Sequence, residues 1–342
     1  MLNGLDSHVR PPGPRHNLAT EHFSGYQPAP DVDLRQAYGF ARGVVRQLPA
    51  ERWAPRLGHR LVWVRGAAFA CNTLVASDEA FAVVGRHTQC GIVLPEDPFV
   101  ALRHVLVRSI ALPSGGVALR VLDLHTGLGF GLPDGSRHSS IFAEGPIAIA
   151  LGEYALVALP TETSGDELPG ELPPPVMETP PHVREQLQAL ASAMSPYRVN
   201  ARSSNRMSRI TLMPRPVMVG EAMPPNLGRL AAGGHYALTL TRGERSATVT
   251  LSEEDIARGV MIGRSEKCHT EMLRRITDEN TSRTHILILR EGGTVWAYDL
   301  ASTHGTFING VPARRVQLAE AGTSVSLGRG DKAVCLLWHT RA

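Results

Sequence analysis

Lysine is almost missing from this chain: Lys267 and Lys332 stand against 33 arginines. The bias reads mainly as the habit of a GC-rich genome, although the guanidinium is also the better fork for an oxyanion. The formal net charge of +3 is too small to suggest a nucleic-acid partner. Cysteine is scarce as well. Cys71, Cys90, Cys268 and Cys335 lie in apolar or strand-like runs with no C-x-x-C and no zinc spacing. Buried free thiols in a reducing compartment are the expectation. No apolar run approaches the length of a membrane span. The opening MLNGLDSHVRPPGPRHN has no apolar h-region, so no secretory signal is read there and a cytoplasmic location is expected. The 14 histidines show neither i, i+4 pairing nor Cys/His spacing, and no P-loop or dinucleotide fingerprint occurs. No metal and no cofactor are expected.

What is present is ordinary globular material, 43% hydrophobic and 20% charged, in a length of 342 residues that favours two domains. Residues 1–56 are polar and Pro-rich, with one amphipathic helix expected over Asp33–Leu48 and mobility elsewhere. Over 57–160 the pattern changes to short β-branched runs (LVWV, FAVVG, HVLVRSIAL, VALRVLDL, IAIALG, YALVAL) punctuated by Gly, Pro, Asp and Ser. Residues 161–234 read as a Pro-rich linker with a short helix at His182–Met194 and an Arg-rich stretch, Arg198–Arg215, taken as solvated or internally paired. From 235 to 342 strand-like runs return. The fold class expected is all-β, two sandwiches joined by a Pro-rich and partly helical linker.

The two β regions repeat each other. Gly85-Arg86-x-x-x-Cys90 matches Gly263-Arg264-x-x-x-Cys268, and Arg103-His104-Val-Leu-Val parallels the strand His285-Ile-Leu-Ile. Leu119–Leu124 matches Val295–Leu300, and Phe142–Gly152 lies without a gap on Leu318–Gly328. Four matches in one order point to one fold used twice.

In the second copy Arg264 ends a strand, Thr281-Ser282-Arg283-Thr284-His285 precedes one, and Ser302-Thr303-His304-Gly305-Thr306 follows one. Loops of a sandwich cluster at its ends. Three such loops could bring a guanidinium, hydroxyls and exposed backbone N–H groups to one phosphate. No carboxylate pair accompanies them, so such a site would bind rather than react.

Gly-Arg, then Ser-Arg-x-His, then Asp-Leu-x-Ser-Thr-x-Gly-Thr-Phe-x-Asn-Gly, then Leu-Gly, resembles the signature of forkhead-associated (FHA) domains across residues 235–342. The family reads phosphothreonine. The resemblance implies that Arg264 pairs with the phosphate, that Ser282 donates its hydroxyl to it, and that Thr303 lies on the phosphate side. Arg283 is implied as a second cation. His285 is implied as a loop support, with Gly263, Gly305 and the hairpin pair Asn309-Gly310 as framework; Thr306 and Phe307 are read as structural. One departure stands out: His304 occupies the place of the family's Asn, which puts peptide specificity in question and implies a weak pH sensitivity of binding.

In the first copy the same alignment places Ala101 where the Ser belongs, and Gly127-Leu128 where the hydroxyl and amide belong. A one-residue shift would save Thr126. Arg86 and His104 remain. Residues 57–160 are therefore expected to keep the fold without phosphothreonine affinity, each lost charge-assisted bond being worth roughly 1.5–3 kcal/mol.

The implied partner is a phosphothreonine-containing protein, a Ser/Thr kinase or its substrate, with no nucleic acid and no membrane. Thr163, followed by Asp166, is a candidate ligand within the chain, against the simpler reading of an acidic linker. The function expected is a non-enzymatic signalling adaptor. The alternative is an assembly protein whose sandwiches dock partners without phosphorylation.

Overall fold

The computed structural model describes residues 32–48, 57–77, 80–113, 115–124, 126–163, 167–178, 208–213, 215–218, 236–265, 276–291, 293–318 and 322–340. The expected helix at His182–Met194 lies outside them, as do Lys267, Cys268 and the surroundings expected to be mobile.

Helix α1 (Leu34–Arg46) starts where the Asp33 carboxylate accepts from the N–H groups of Arg35 at 3.0 Å and Gln36 at 2.9 Å. Its stripe Leu34, Ala37, Tyr38, Ala41 and Val45 is buried.

The described strands form four sheets. One sheet of the first sandwich runs β2 (Ala68–Val75), β1 (Gly58–Arg65), β11 (Tyr154–Pro160), β10 (Ile147–Leu151), β7 (Phe130–Gly131), β8 (Arg137–His138). The facing sheet runs β12 (Pro175–Glu178), β13 (Ser208–Leu212), β9 (Ser140–Glu144), β6 (Val117–Asp123), β5 (Val105–Ala111), β3 (Phe81–Gly85), β4 (Ile92–Val93). In the second sandwich one sheet is β14 (Val217–Met218), β17 (Val260–Ile262), β18 (Ile286–Glu291), β19 (Thr294–Asp299), β22 (Arg315–Gln317). The other is β16 (Arg245–Leu251), β15 (Tyr236–Arg242), β24 (Val334–Thr340), β23 (Thr323–Leu327), β20 (Thr306–Ile308), β21 (Val311–Pro312). The orders β2-β1-β11-β10-β7-β8 and β16-β15-β24-β23-β20-β21 are the same order, so the repeat is one of topology as well as of sequence.

Three apolar clusters hold this together. Leu61, Val84, Val105, Val107, Leu119, Val121, Ile141, Ile149 and Leu156 fill the first sandwich. A second cluster joins α1 to the outer face of β1, β10 and β11, and includes Leu168 and Leu172. The third fills the second sandwich and continues without a break into Phe81, Val83, Cys90, Leu106, Leu122 and Leu124 of the first. That continuity explains why β5 and β6 read as nearly unbroken apolar runs: one face packs inside the sandwich and the other against the second sandwich.

The segment between the sandwiches is more than a connector. β13 pairs antiparallel with β9 of the first sandwich, and β14 pairs parallel with β17 of the second. Leu168 and Leu172 are buried under α1, and the Tyr38 hydroxyl donates to the Pro169 carbonyl at 3.0 Å.

Thr163 requires a correction. It is 2% exposed and its hydroxyl lies buried with no hydrogen-bond partner among the described residues, so it is not a threonine displayed on a flexible tether. A group in that position offers neither a kinase nor a binding site its side chain.

Cys71, Cys90 and Cys335 are free thiols, and burial pushes that of Cys90 up to about 11. Among the described residues no helix is long and apolar enough to cross a membrane.

Candidate functional site

Three loops meet at one end of the second sandwich. The first is the end of β17. Gly263 is required there by space: a Cβ would sit 2.0 Å from the Arg283 carbonyl oxygen and 2.7 Å from that of Ser282. Because the loops approach so closely, the Arg264 N–H donates to the Ser282 carbonyl at 2.9 Å and the Ser265 N–H to that of Arg283 at 3.1 Å. Arg264 and Ser282 are thus locked side by side. The Arg264 side chain is exposed.

The second loop is held by His285, which is fully buried. Its Nδ1 accepts from the Ser282 N–H at 3.1 Å and its Nε2 donates to the Gly305 carbonyl at 3.1 Å. These two bonds require the neutral ring with its proton on Nε2. Burial holds its pKa below the ordinary histidine value, which maintains that form.

The third loop is gathered by Asp299 at the end of β19. Its carboxylate accepts from the Ser302 N–H at 2.9 Å, from the Ser302 hydroxyl, and from the Thr306 hydroxyl at 2.6 Å. The turn passes through Ala301 at φ 55° and Gly305 at φ 78°. It presents the Thr303 N–H to the Ser282 Oγ at 2.9 Å. Since Ser282 accepts that bond, its own hydroxyl proton stays available for another acceptor.

Thr303, His304 and Arg283 are exposed, as is Arg264. Among the described residues the side chains of Arg264, Arg283 and His304 make no hydrogen bond or ion pair. Asn309 and Gly310, at φ 49° and 78°, form the two-residue hairpin between β20 and β21.

The first sandwich reproduces much of this framework, without the bonds that Ser282 Oγ and the Thr306 hydroxyl make in the second. The Arg86 N–H donates to the Ala101 carbonyl at 3.0 Å, His104 Nδ1 accepts from the Ala101 N–H at 3.2 Å, and His104 Nε2 donates to the Gly129 carbonyl at 2.9 Å. Asp123 accepts from the N–H and hydroxyl of Thr126 at 3.1 and 2.6 Å, as Asp299 does from Ser302. Thr126 therefore takes the inward place of Ser302, and no register shift rescues it as a ligand-facing hydroxyl. Gly127 and Leu128 stand where Thr303 and His304 stand. Arg86 Nε is turned onto the Val100 carbonyl. The framework survives and the donors are gone.

Two residues that hold these loops lack a reading from the sequence. Asp299 could have been found, since Asp-Leu-x-Ser/Thr recurs in both copies. Arg103 could not. It belongs to the first sandwich, yet its Nε donates to the Ala301 carbonyl of the second at 2.8 Å.

Comparison with protein families matches residues 260–328 to the FHA domain. Comparison with curated proteins gave no match. Among solved structures, the chain is similar to the FHA-1 domain of Rv1747 from Mycobacterium tuberculosis, at 20% identity over 31% of this chain and 98% of that one, with a TM-score of 0.25. It is similar to the FHA domain of CT664 from Chlamydia trachomatis at 21% identity, over 31% of this chain and 98% of that one, TM-score 0.25. It is also similar to the N-terminal FHA domain of S. cerevisiae Rad53p, solved in complex with a phosphothreonine peptide, at 19% identity over 31% and 93% of the two chains, TM-score 0.26. Residues 260–328 thus match the FHA domain, and the match falls on the sandwich whose loops hold Arg264, Ser282 and Thr303.

Proposed function

We propose that the chain is a phosphothreonine-binding adaptor of Ser/Thr kinase signalling, acting through the loop cluster of its second sandwich. FHA domains are interaction modules of the phospho-motif-reading class and carry no catalysis of their own. The observation that carries the reading is the Ser282 hydroxyl, oriented by the Thr303 N–H so that its proton is free, in a loop whose backbone is bonded to that of the exposed Arg264. Arg264 supplies a charged, forked donor to the phosphate, Ser282 a neutral one, and Thr303 a hydroxyl at the rim. Arg283 and His304 extend the surface along which a peptide would lie. In this reading His304 replaces an amide by an imidazole, so peptide preference differs from that of domains with Asn in this position.

The test is calorimetry of the full chain against a library of peptides with a fixed phosphothreonine and randomised flanks. Wild type binds, Arg264→Ala and Ser282→Ala lose at least tenfold, and the unphosphorylated library does not bind. Binding that ignores the phosphate would remove this function.

A second reading, phosphorylation-independent assembly, is favoured by one observation: the first sandwich has lost its donors and packs the outer face of β3, β5 and β6 against a neighbour. A partner retained by both Arg264→Ala and Ser282→Ala would support it.

A further inference from the structure

The first sandwich does not merely lean on the second; it reaches the loop cluster with one side chain. Arg103 lies in the first copy's counterpart of the Ser282–His285 loop, at the position that Thr284 holds in the second. It is half-buried at the junction of the sandwiches. Its Nε and Nη2 both donate to the Ala301 carbonyl, Nε at 2.8 Å, and Nη2 is 3.4 Å from Thr303 Oγ1. Nη1 has no partner among the described residues.

Ala301 is the residue of the turn held at φ 55°, a conformation that a non-glycine side chain adopts only with support. A guanidinium forked onto its carbonyl gives that support and fixes the direction of the Thr303 N–H and hydroxyl that follow. The same guanidinium brings a positive charge within contact of Thr303 Oγ1, on the exposed side of the loop. The contact is anchored by packing. Phe81, Leu106, Leu122 and Leu124 of the first sandwich share one apolar cluster with Tyr298 and Leu300 of the second. A swinging surface arginine would contribute little, but one tied at two nitrogens and set on a packed interface is pre-organised.

We infer that Arg103 is part of the phosphate-binding rim of the second sandwich, so that the site is composite and the degenerate copy serves as its co-receptor. The inference rests on the phosphothreonine reading of that site. The ligand chemistry is a phosphate dianion on a peptide, held by Arg264 and Ser282 from one sandwich and by the field and free Nη1 of Arg103 from the other. This gives the first copy a role in binding although it holds no complete site itself.

The experiment uses the full chain and a peptide pool with fixed phosphothreonine and randomised flanks. Wild type, Arg103→Gln, Arg103→Lys and Arg264→Ala are compared by calorimetry, with melting curves to verify folding. Phosphorus NMR follows the second ionisation of the bound phosphate. Arg103→Gln keeps a donor for the Ala301 carbonyl but removes the charge; it is expected to weaken binding about five- to tenfold, as the loss of one partly screened charge-assisted contact should. It should also raise the titration midpoint of the bound phosphate, and Arg103→Lys should restore most of both. Wild-type affinity and midpoint in Arg103→Gln, with Arg264→Ala defective, would overturn the composite site and leave the phosphothreonine reading intact. Equal loss in the Gln and Lys variants with an unmoved midpoint would reduce Arg103 to a loop support and overturn the inference. Tighter binding by Arg103→Gln would make it a plug, which also overturns it. If Arg264→Ala binds like wild type, the phosphothreonine reading fails and the composite site fails with it.

Discussion

Arg108 of the first sandwich is ion-paired to Glu291 of the second with side-chain exposures of only 4% and 8%. The Tyr298 hydroxyl donates to the same carboxylate and accepts from Arg108, while Arg315 approaches it at 3.9 Å. Phe81 meets the Tyr298 ring edge-on at 5.1 Å. A charged cluster therefore sits within the apolar contact between the two sandwiches. Taking ions out of water is costly, so the pair adds less to stability than to the choice of one docking geometry.

Glu291→Gln is accordingly expected to be the more damaging change at this interface. It leaves Arg108 and Arg315 without their carboxylate and should cost about 3–5 kcal/mol. Chemical denaturation checks this, with Arg108→Met/Glu291→Leu/Arg315→Met as the companion. If the charges act by specificity, the triple variant recovers most of the loss; a triple variant as unstable as Glu291→Gln would show that the charged cluster itself stabilises the contact.

Glycine substitutions should separate the site from the scaffold. Gly263→Ala drives a Cβ to 2.0 Å from the Arg283 carbonyl oxygen, and the Ser282–Arg283 loop must move. A loss of about 2–4 kcal/mol is expected, with phosphopeptide binding abolished. Gly43, in α1, has nothing within 4 Å of its would-be Cβ. Gly43→Ala should stabilise the chain by about 0.5–1 kcal/mol and leave binding unchanged. Paired melting curves and titrations decide both.

Much of this architecture is legible from the chain alone, and the failures have physical causes. The central strands were visible because each buries at least one face, as in FAVVG, VALRVLDL and HILILR. Edge elements were not. β2 is half exposed along AFACNTLV, and β13 lies in an Arg-rich stretch where no alternation marks it. The repeat was correct in topology but one residue off at β9. There Leu119 pairs with Ala143, whereas its counterpart Val295 accepts from the N–H of Leu318. Gapless matching cannot see such an offset. In the site, Gly263, Ser282 and His285 were recognisable because the motif is local. The Arg103–Ala301 bond spans 198 positions, and nothing around Arg103 in the sequence points to it.

Stability should fall in acid because of buried neutral histidines. His59 is fully buried, its Nδ1 2.8 Å from the Ser109 hydroxyl, and burial lowers its pKa to about 3. His104 and His285 are shifted in the same direction by the same cause. Below the ordinary histidine pKa of roughly 6.5 the unfolded chain takes up protons that the folded chain refuses, so the folded state loses ground as pH falls. For His59 the loss is about 1.4 kcal/mol per pH unit between roughly pH 6.5 and 3. Denaturation at pH 7, 6 and 5 should show the decline, and His59→Asn, which can keep the Ser109 bond, should flatten it by one proton. A slope identical in wild type and His59→Asn would mean that this ring is protonated in the fold.

The first copy should resist repair by a single hydroxyl. Ala101 donates its N–H to His104 as Ser282 does to His285, so a serine there would be placed much as Ser282 is. The partners that make Ser282 useful are missing, however. Gly127 has no hydroxyl to stand in for Thr303, Leu128 replaces a polar side chain, and Arg86 Nε is committed to the Val100 carbonyl. The loop is also occupied, because Arg103, two residues further on, is tied to Ala301. Adding Ala101→Ser to an Arg264→Ala chain is therefore expected to leave phosphothreonine binding undetectable by calorimetry and the fold intact. Recovery of binding in that double variant would show that the first sandwich lacks only a hydroxyl. Continued silence places the loss in the whole donor set.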